Sequence, residues 1–348
     1  MEVPDYHLPP EAIAQEPVEP RDAARLLVSF EPGDPPQHRT VADLPDLLEP
    51  GDLLVVNTSR VLPARLRLTR PTGGAAEVLL LEPEPNGQED PGVTSWLALV
   101  RPGRRLRPGD VLCHDERPVV EVGERLDEGR RRVRLLTAAT GVTDLLNAVG
   151  EVPLPPYIHR ALDDPERYQT VYADRARSVA APTAGLHLSR AVLDRCHARG
   201  VELATVDLAV GLATFRPIAA AAAEDHRMHE EWYEVAADTV ARCRSARRVV
   251  AVGTTTVRAL ESVARTGQLS GRTSLYIRGD YPFQVVDVLL TNFHRPRSSL
   301  LVLLEAFYGP EWRALYETAL AEGYRFLSFG DAMLVARRSN EGERGLSA

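Results

Sequence analysis

Several stretches of this chain hold more polar and small side chains than a plain core segment needs. Ser178–Leu188 reads SVAAPTAGLHL, in which Pro182 and Gly185 set a tight turn and Thr183 and His187 can point at a ligand. The plainer reading of that stretch is a turn that opens a helix. Arg248–Ser262 reads RVVAVGTTTVRALES, an apolar strand running into Gly253 and then three threonines. Free backbone N–H groups and the helix dipole would favour a carboxylate or phosphate at Thr254 and Thr255, with Arg258 one turn further in. A Thr-capped helix after a glycine turn is the alternative. Neither GK[ST] nor GxGxxG is present, so no nucleotide phosphate loop or dinucleotide fingerprint is implied. Thr291–Ser299, TNFHRPRSS, puts Asn292 and His294 after a buried strand, where open α/β sheets hold ligands. Met228–Val235, MHEEWYEV, carries His229 and two adjacent carboxylates, Glu230 and Glu231, beside aromatic surface. Burial would raise such a carboxylate into the range of a general base, and a solvated face reads equally well. In RFLSFGDAMLV, Asp331 would orient a ribose hydroxyl or cap the turn.

These residues need a scaffold, and the apolar pattern supplies one. Leu53–Val56, Val201–Leu208, Arg248–Val252 and Val285–Leu290 read as strands. Ser189–Gly200, Ala219–Glu224, Asp238–Ala246, Thr255–Thr266, Ser298–Phe307 and Glu311–Glu322 read as helices. The alternation predicts an α/β domain. Between Leu66 and Val149 short apolar runs (Val78–Leu81, Trp96–Val100, Val119–Val122) alternate with turn-rich stretches, the pattern of a small β-barrel or sandwich. Gly129–Arg132 reads there as a turn with a basic cluster, solvated or touching RNA. The expected organisation is an α/β catalytic domain from 1–64 plus 151–348, with an inserted, barrel-like all-β domain over 65–150. The polar tail after Arg338 is expected to fray.

Composition narrows the chemistry. Hydrophobic residues make up 44% and charged residues 26%, an ordinary globular balance. No apolar run approaches the ~20 residues of a membrane helix, and no leader-like segment is read at the start, so a cytoplasmic protein with no membrane partner is expected. Three scattered cysteines give neither a zinc pattern nor a disulfide framework. His226 and His229 would suit a metal only on one helical face, and a substrate-site or structural role is preferred; no metal is expected. All 41 basic residues are arginine, which removes a lysine Schiff base and a Walker lysine. The net charge of −8 argues against generic nucleic-acid affinity without excluding one basic face.

Taken in order, the blocks DYHLPPEAIAQEPVEPRDAARLLV, DLLVVNTSRVLPARL, VPLPPYI, ERYQTVYA, VAAPTAGLHL, GLATFRPI, MHEEWYEV, VGTTTVRALES, LLTNFHRPRSSLLVLLEAF and YRFLSFGDAMLV resemble the S-adenosylmethionine:tRNA ribosyltransferase-isomerase family of queuosine biosynthesis. The resemblance covers nearly the whole chain. It implies S-adenosylmethionine as a ribosyl donor and the aminomethyl-7-deazaguanine (preQ1) base of a tRNA anticodon as acceptor. The product is epoxyqueuosine, and adenine and methionine are released. The sulfonium acidifies the adjacent C5′–H, so the protein must supply a base, a carboxylate anchor, hydrogen bonds to the nucleoside and a dry pocket. On this reading His187, His229 or His294 handles protons, with Glu231 as a further catalytic candidate. Thr183, Thr254, Thr255, Arg258, Asn292 and Asp331 bind S-adenosylmethionine, and Glu231 also touches the nucleoside. A basic face using Arg101, Arg104, Arg105 and Arg130–Arg132 would carry the anticodon stem-loop of tRNA, and the chain is read as a monomer. The chain departs from the family's pattern at Thr58 (aspartate in the family), at Ala209 and Glu151 (histidines), at Ala213 (glycine) and at Arg297 (lysine). The first three changes favour an alternative, a paralogue acting as a lyase or isomerase, or on a small acceptor, without tRNA. A non-catalytic binding protein is opposed by the retained TAGLH, MHEEWY and TNFH.

Overall fold

The computed structural model describes residues 2–84, 93–137, 141–211, 218, 222–226 and 228–338. Its contacts divide the chain into two units, one of residues 1–60, 155–175 and 181–348, the other of 61–154 and 176–180.

The first unit is built on a nine-stranded mixed sheet. Four central strands run parallel in the order Glu202–Leu208, Leu53–Asn57, Val249–Val252, Val288–Asn292. Leu53–Asn57, Val249–Val252 and Val288–Asn292 are buried at every position, because helices and turns cover both faces and leave no room for polar alternation. Ala332–Ala336 joins antiparallel to Val288–Asn292, and Arg25–Ser29 then pairs parallel with it. Gln37–Thr40 forms one edge, its polar side chains mostly exposed. On the other side Glu231–Val235 and Ser270–Thr273 extend the sheet antiparallel.

Most expected elements form, and the differences have local causes. The strand expected from Val285 begins at Val288, because the amides of Gln284, Val285 and Val286 donate to the buried Glu261 carboxylate instead of to a neighbouring strand. The helix expected over Ala219–Glu224 falls mainly outside the described residues, and Ala223–Asp225 is a single 3-10 turn. The tail expected to fray lies outside them too. Ser189 and Ser298 cap Arg190–Ala198 and Ser299–Tyr308 by accepting from Val192 and Leu301 N–H. Thr254–Thr266 is bracketed by Gly253 at φ 87° and Gly267 at φ 72°, conformations that glycine adopts freely.

The second unit is a closed six-stranded antiparallel barrel in the order Arg65–Thr69, Ala75–Pro83, Val93–Arg101, Arg130–Leu136, Arg117–Arg125, Val111–His114. The Thr69 to Cys113 pairing closes it and removes the sheet edges. Leu66, Val78, Leu80, Ala98, Leu112, Val120, Val122, Val133 and Leu135 fill the interior. The turn expected over Gly129–Arg132 ends at Gly129, and Arg130–Arg132 begin a strand. Arg131 is buried and donates to the carbonyls of Gly103, Leu106 and Gly123, while Arg132 sits between Glu84 and Glu124. These two guanidiniums are therefore spent within the barrel. By contrast Arg101, Arg104, Arg105 and Arg107 are exposed, with no ion pair among the described residues. Glu151, one of the three departures, forms an exposed ion pair in which Arg67 Nε–H is shared between both carboxylate oxygens at 2.9 Å.

Candidate active site

The C-terminal ends of the four parallel strands bring most of the expected residues to one edge of the sheet. Successive side chains on a strand point to opposite faces, so the site has two sides.

One side belongs to Asn292. Its strand neighbours Leu290 and Val288 pack with Ala184 and Leu188 of the TAGLH turn, which is the 3-10 segment Thr183–His187. Thr183 Oγ1 donates to Asn292 Oδ1 at 3.0 Å, and Asn292 Nδ2 meets His187 Nε2 at 2.7 Å. Burial, then the charges of Arg167, Arg325 and Arg21, depress the pKa of His187 to about 3, so its ring is neutral. Gly185 permits this turn: a Cβ there would stand 2.0 Å from Tyr172 Oη and 2.9 Å from Thr170 Cγ2.

The other side carries the helix Thr254–Thr266. Arg258 forms a buried ion pair with Glu231 and donates to Leu275 O at 3.1 Å and Thr273 O at 3.3 Å. Glu231 also accepts from Gly211 N–H at 2.9 Å. Alternation along Glu231–Val235 buries Glu231, while Glu230 just before the strand is exposed. Thr255 Oγ1 accepts from Asn57 Nδ2 at 3.3 Å, which leaves the threonine proton available to a ligand. Thr256 is spent on Val252 O at 2.7 Å. A pocket opens at this helix start, lined by Thr254, Thr255, Arg258, Met228, Leu275 and Leu303, among others. The two sides meet across Gly253, where a Cβ would lie 3.5 Å from Ala184 Cβ and 3.7 Å from Thr255 Oγ1.

Three expected residues belong neither to the Thr183–Asn292–His187 group nor to the pocket lining. His294 bonds to Thr291 at 3.1 Å, and Thr291 faces away from Asn292, so the two buried histidines lie on opposite sides of the sheet. Its backbone is held by Tyr6 Oη at 2.6 Å and Tyr316 Oη at 2.8 Å, and burial depresses its pKa to about 3. His229 is half-buried beside His226, whose pKa is lowered by burial and then by His229. Asp331 is buried and accepts from Arg25 N at 2.9 Å and Arg325 N at 2.8 Å, clamping the loop before Ala332 to the strand Arg25–Ser29. Among the described residues no group of three or more His, Cys, Asp or Glu is placed to hold a metal.

Asn57, a short polar side chain where the strand from Leu53 was expected to end, was not among the expected site residues. It is fully buried and ties Leu208 N, Leu208 O, Ser59 N and Thr255 together. Its position at the end of an apolar strand was the available signal. The departures Thr58 and Ala209 lie close by in sequence: Thr58 Oγ1 donates to Val206 O at 3.2 Å, and Ala209 N–H donates to Trp232 O at 3.0 Å.

Comparison with known proteins agrees with this architecture. A family model described as "Queuosine biosynthesis protein" matches residues 2–335. S-adenosylmethionine:tRNA ribosyltransferase-isomerase of Thermus thermophilus is 51% identical over 354 residues, covering 96% of this chain and 99% of that protein. The protein of the same name from Rubrobacter xylanophilus is 49% identical over 332 residues, covering 95% and 96%. The crystal structure of S-adenosylmethionine tRNA ribosyltransferase from Thermotoga maritima aligns with a TM-score of 0.53 at 37% identity, covering 95% of this chain and 99% of that one.

Proposed function

Because the chain belongs to the queuosine biosynthesis protein family, we propose that it moves the ribosyl group of S-adenosylmethionine onto the preQ1 base of a tRNA anticodon and isomerises it, releasing adenine and methionine. The observation that carries this reading is the family match over residues 2–335, with about half of all residues shared with relatives of that name along the whole chain. The paralogue without tRNA, suggested by Thr58, Ala209 and Glu151, is not favoured by relatives this similar.

The residues fit such a substrate. Leu275, Ile277 and Leu303 line the pocket as an apolar wall for a nucleoside face. Thr254 and Thr255, at the start of a long helix, suit the methionine carboxylate through backbone amides and hydroxyls. Arg258 takes part through its neutral pair with Glu231: it fixes the wall at Thr273 and Leu275 and keeps the pocket from carrying bare charge. His187, Asn292 and Thr183 approach from the other side of Gly253. When bound, S-adenosylmethionine supplies an acidified C5′–H and two leaving groups. The protein's part is to orient it, exclude water and place hydrogen-bonding groups where charge develops. His229 remains the candidate for proton transfer. We assign no proton step to His294 or Asp331, whose polar atoms hold the framework.

For the acceptor, the 101–107 loop presents Arg101, Arg104, Arg105 and Arg107, and Arg131 and Arg125 hold it from below through Gly103 O and Leu106 O. Such a cluster suits RNA phosphates. The enzyme is read as a cytoplasmic monomer that uses no metal; no helix among the described residues is long and apolar enough to cross a membrane. Isotope tracing tests the assignment: label in the ribose of S-adenosylmethionine should enter preQ1-bearing RNA while methyl label leaves with methionine. Methyl label in the RNA would contradict it.

A further inference from the structure

The polar chain around His187 determines which ring nitrogen carries its proton. The determination begins at Leu327, a buried residue at φ 70°, a left-handed conformation uncommon for a bulky side chain. That conformation accompanies a carbonyl that accepts from Asn292 Nδ2 at 3.2 Å and from Gly330 N at 3.1 Å. A carbonyl only accepts, so the amide nitrogen of Asn292 must lie on this side. Its oxygen then faces Thr183, whose hydroxyl donates to it at 3.0 Å. The same amide nitrogen reaches His187 Nε2 at 2.7 Å, and an amide nitrogen only donates. Nε2 is therefore an acceptor, and the neutral ring carries its proton on Nδ1. Among the described residues Nδ1 has no hydrogen-bond partner, although His187 is 4% exposed. Nδ1 is not one of the fully enclosed unpaired side-chain atoms, so it keeps some accessible surface from which a ligand atom can accept its proton.

We propose that Thr183, Asn292 and the Leu327 carbonyl are a tautomer lock on His187, leaving its Nδ1–H as a donor to an acceptor atom of the bound nucleoside. The proposal rests on the functional reading above and sharpens it. His187 becomes a neutral hydrogen-bond donor toward developing negative charge, and its basic nitrogen is occupied, so it is not the general base. Arg167, Arg325 and Arg21 surround the ring with positive charge and oppose its protonation. Thr183 and Asn292 act through His187 as positioning residues.

Long-range 1H–15N spectra of the labelled full-length protein test the lock directly, with His187 assigned by its disappearance in His187→Gln. The expected spectrum shows protonated Nδ1 and bare Nε2 from about pH 5.5 to 8.5. Asn292→Asp offers a carboxylate acceptor at the same place. It should move the proton to Nε2 and lower kcat for adenine release about 100-fold, with KM for S-adenosylmethionine changed less than about threefold. Thr183→Val should give a smaller loss of the same kind. A wild-type spectrum with protonated Nε2, or an Asn292→Asp enzyme within about twofold of wild-type kcat, overturns the proposal. The wild-type spectrum needs no variant to fold and no turnover. A protein that releases no adenine refutes the functional reading, while the spectrum still decides the lock.

Discussion

Replacing Arg258 by methionine would strand a carboxylate in the interior. Glu231 and Arg258 are 7% and 5% exposed, and the guanidinium also satisfies the carbonyls of Thr273 and Leu275. Methionine preserves most of the stem's volume but removes the charge and all three contacts. Breaking one partner of a buried pair costs about 3–5 kcal/mol, because the remaining charge keeps its desolvation penalty and loses its compensation. In a domain of this size each kcal/mol moves the midpoint by roughly 2–4 °C, so a fall of roughly 10 °C is expected. Glu231→Leu combined with Arg258→Met leaves no buried charge and should recover most of the loss. Urea unfolding measures both, and the slope m should stay constant if only stability has changed. A cost below about 1 kcal/mol for Arg258→Met would be that of a solvated pair and would contradict a buried, charge-compensated pocket wall.

Three further outcomes are expected. His187 and His294 are each held near a pKa of about 3, against an ordinary 6.5, by burial and, for His187, also by nearby arginines. Between those values the unfolded chain binds protons that the folded one does not. Stability is therefore full above pH 6.5 and declines as pH falls, by about 1.4 kcal/mol per pH unit for each ring. Urea titrations of His294→Asn from about pH 6 to 4 should show a shallower decline, and an unchanged slope would mean that this ring is already charged or solvated. Gly185→Ala drives a methyl into Tyr172 Oη and should lower adenine release at least about tenfold by displacing the Thr183–His187 turn. Adding Tyr172→Phe, which removes the clashing oxygen, should restore part of the rate, and no recovery would point to another cause. Arg104→Ala with Arg105→Ala should weaken RNA binding and reduce the salt slope by about one per lost phosphate contact, leaving KM for S-adenosylmethionine unchanged; an unaltered slope would place the RNA elsewhere.

The elements that position the site were largely legible because both-face burial writes itself as unbroken apolar runs, as in Leu53–Asn57 and Val249–Val252. Glu231–Val235 was hidden because its inward-facing Glu231 is neutralised by Arg258, a partner 27 residues away. Thr183 and Asn292, both picked out as ligand-facing, bond to each other across 109 residues, a pairing that sequence order does not show. The strand Arg25–Ser29 and the buried Asp331 illustrate the same limit. Asp331 accepts the Arg25 amide from 306 residues away, so a residue that reads as a free turn carboxylate is a clamp. Arg130–Arg132 read as a basic turn, but the chain turns before them, and pairing in the barrel buries Arg131 and engages Arg132.

In the proposed reaction this fold spends S-adenosylmethionine as a ribosyl donor on RNA. The direct measurement is adenine release from S-adenosylmethionine by the purified protein, with and without an anticodon stem-loop bearing preQ1, together with the mass of the RNA. Adenine release should depend on the preQ1 RNA, matched by an equal amount of RNA heavier by the transferred, isomerised ribosyl group. Adenine release that proceeds equally without the RNA, or no release at all, would contradict it.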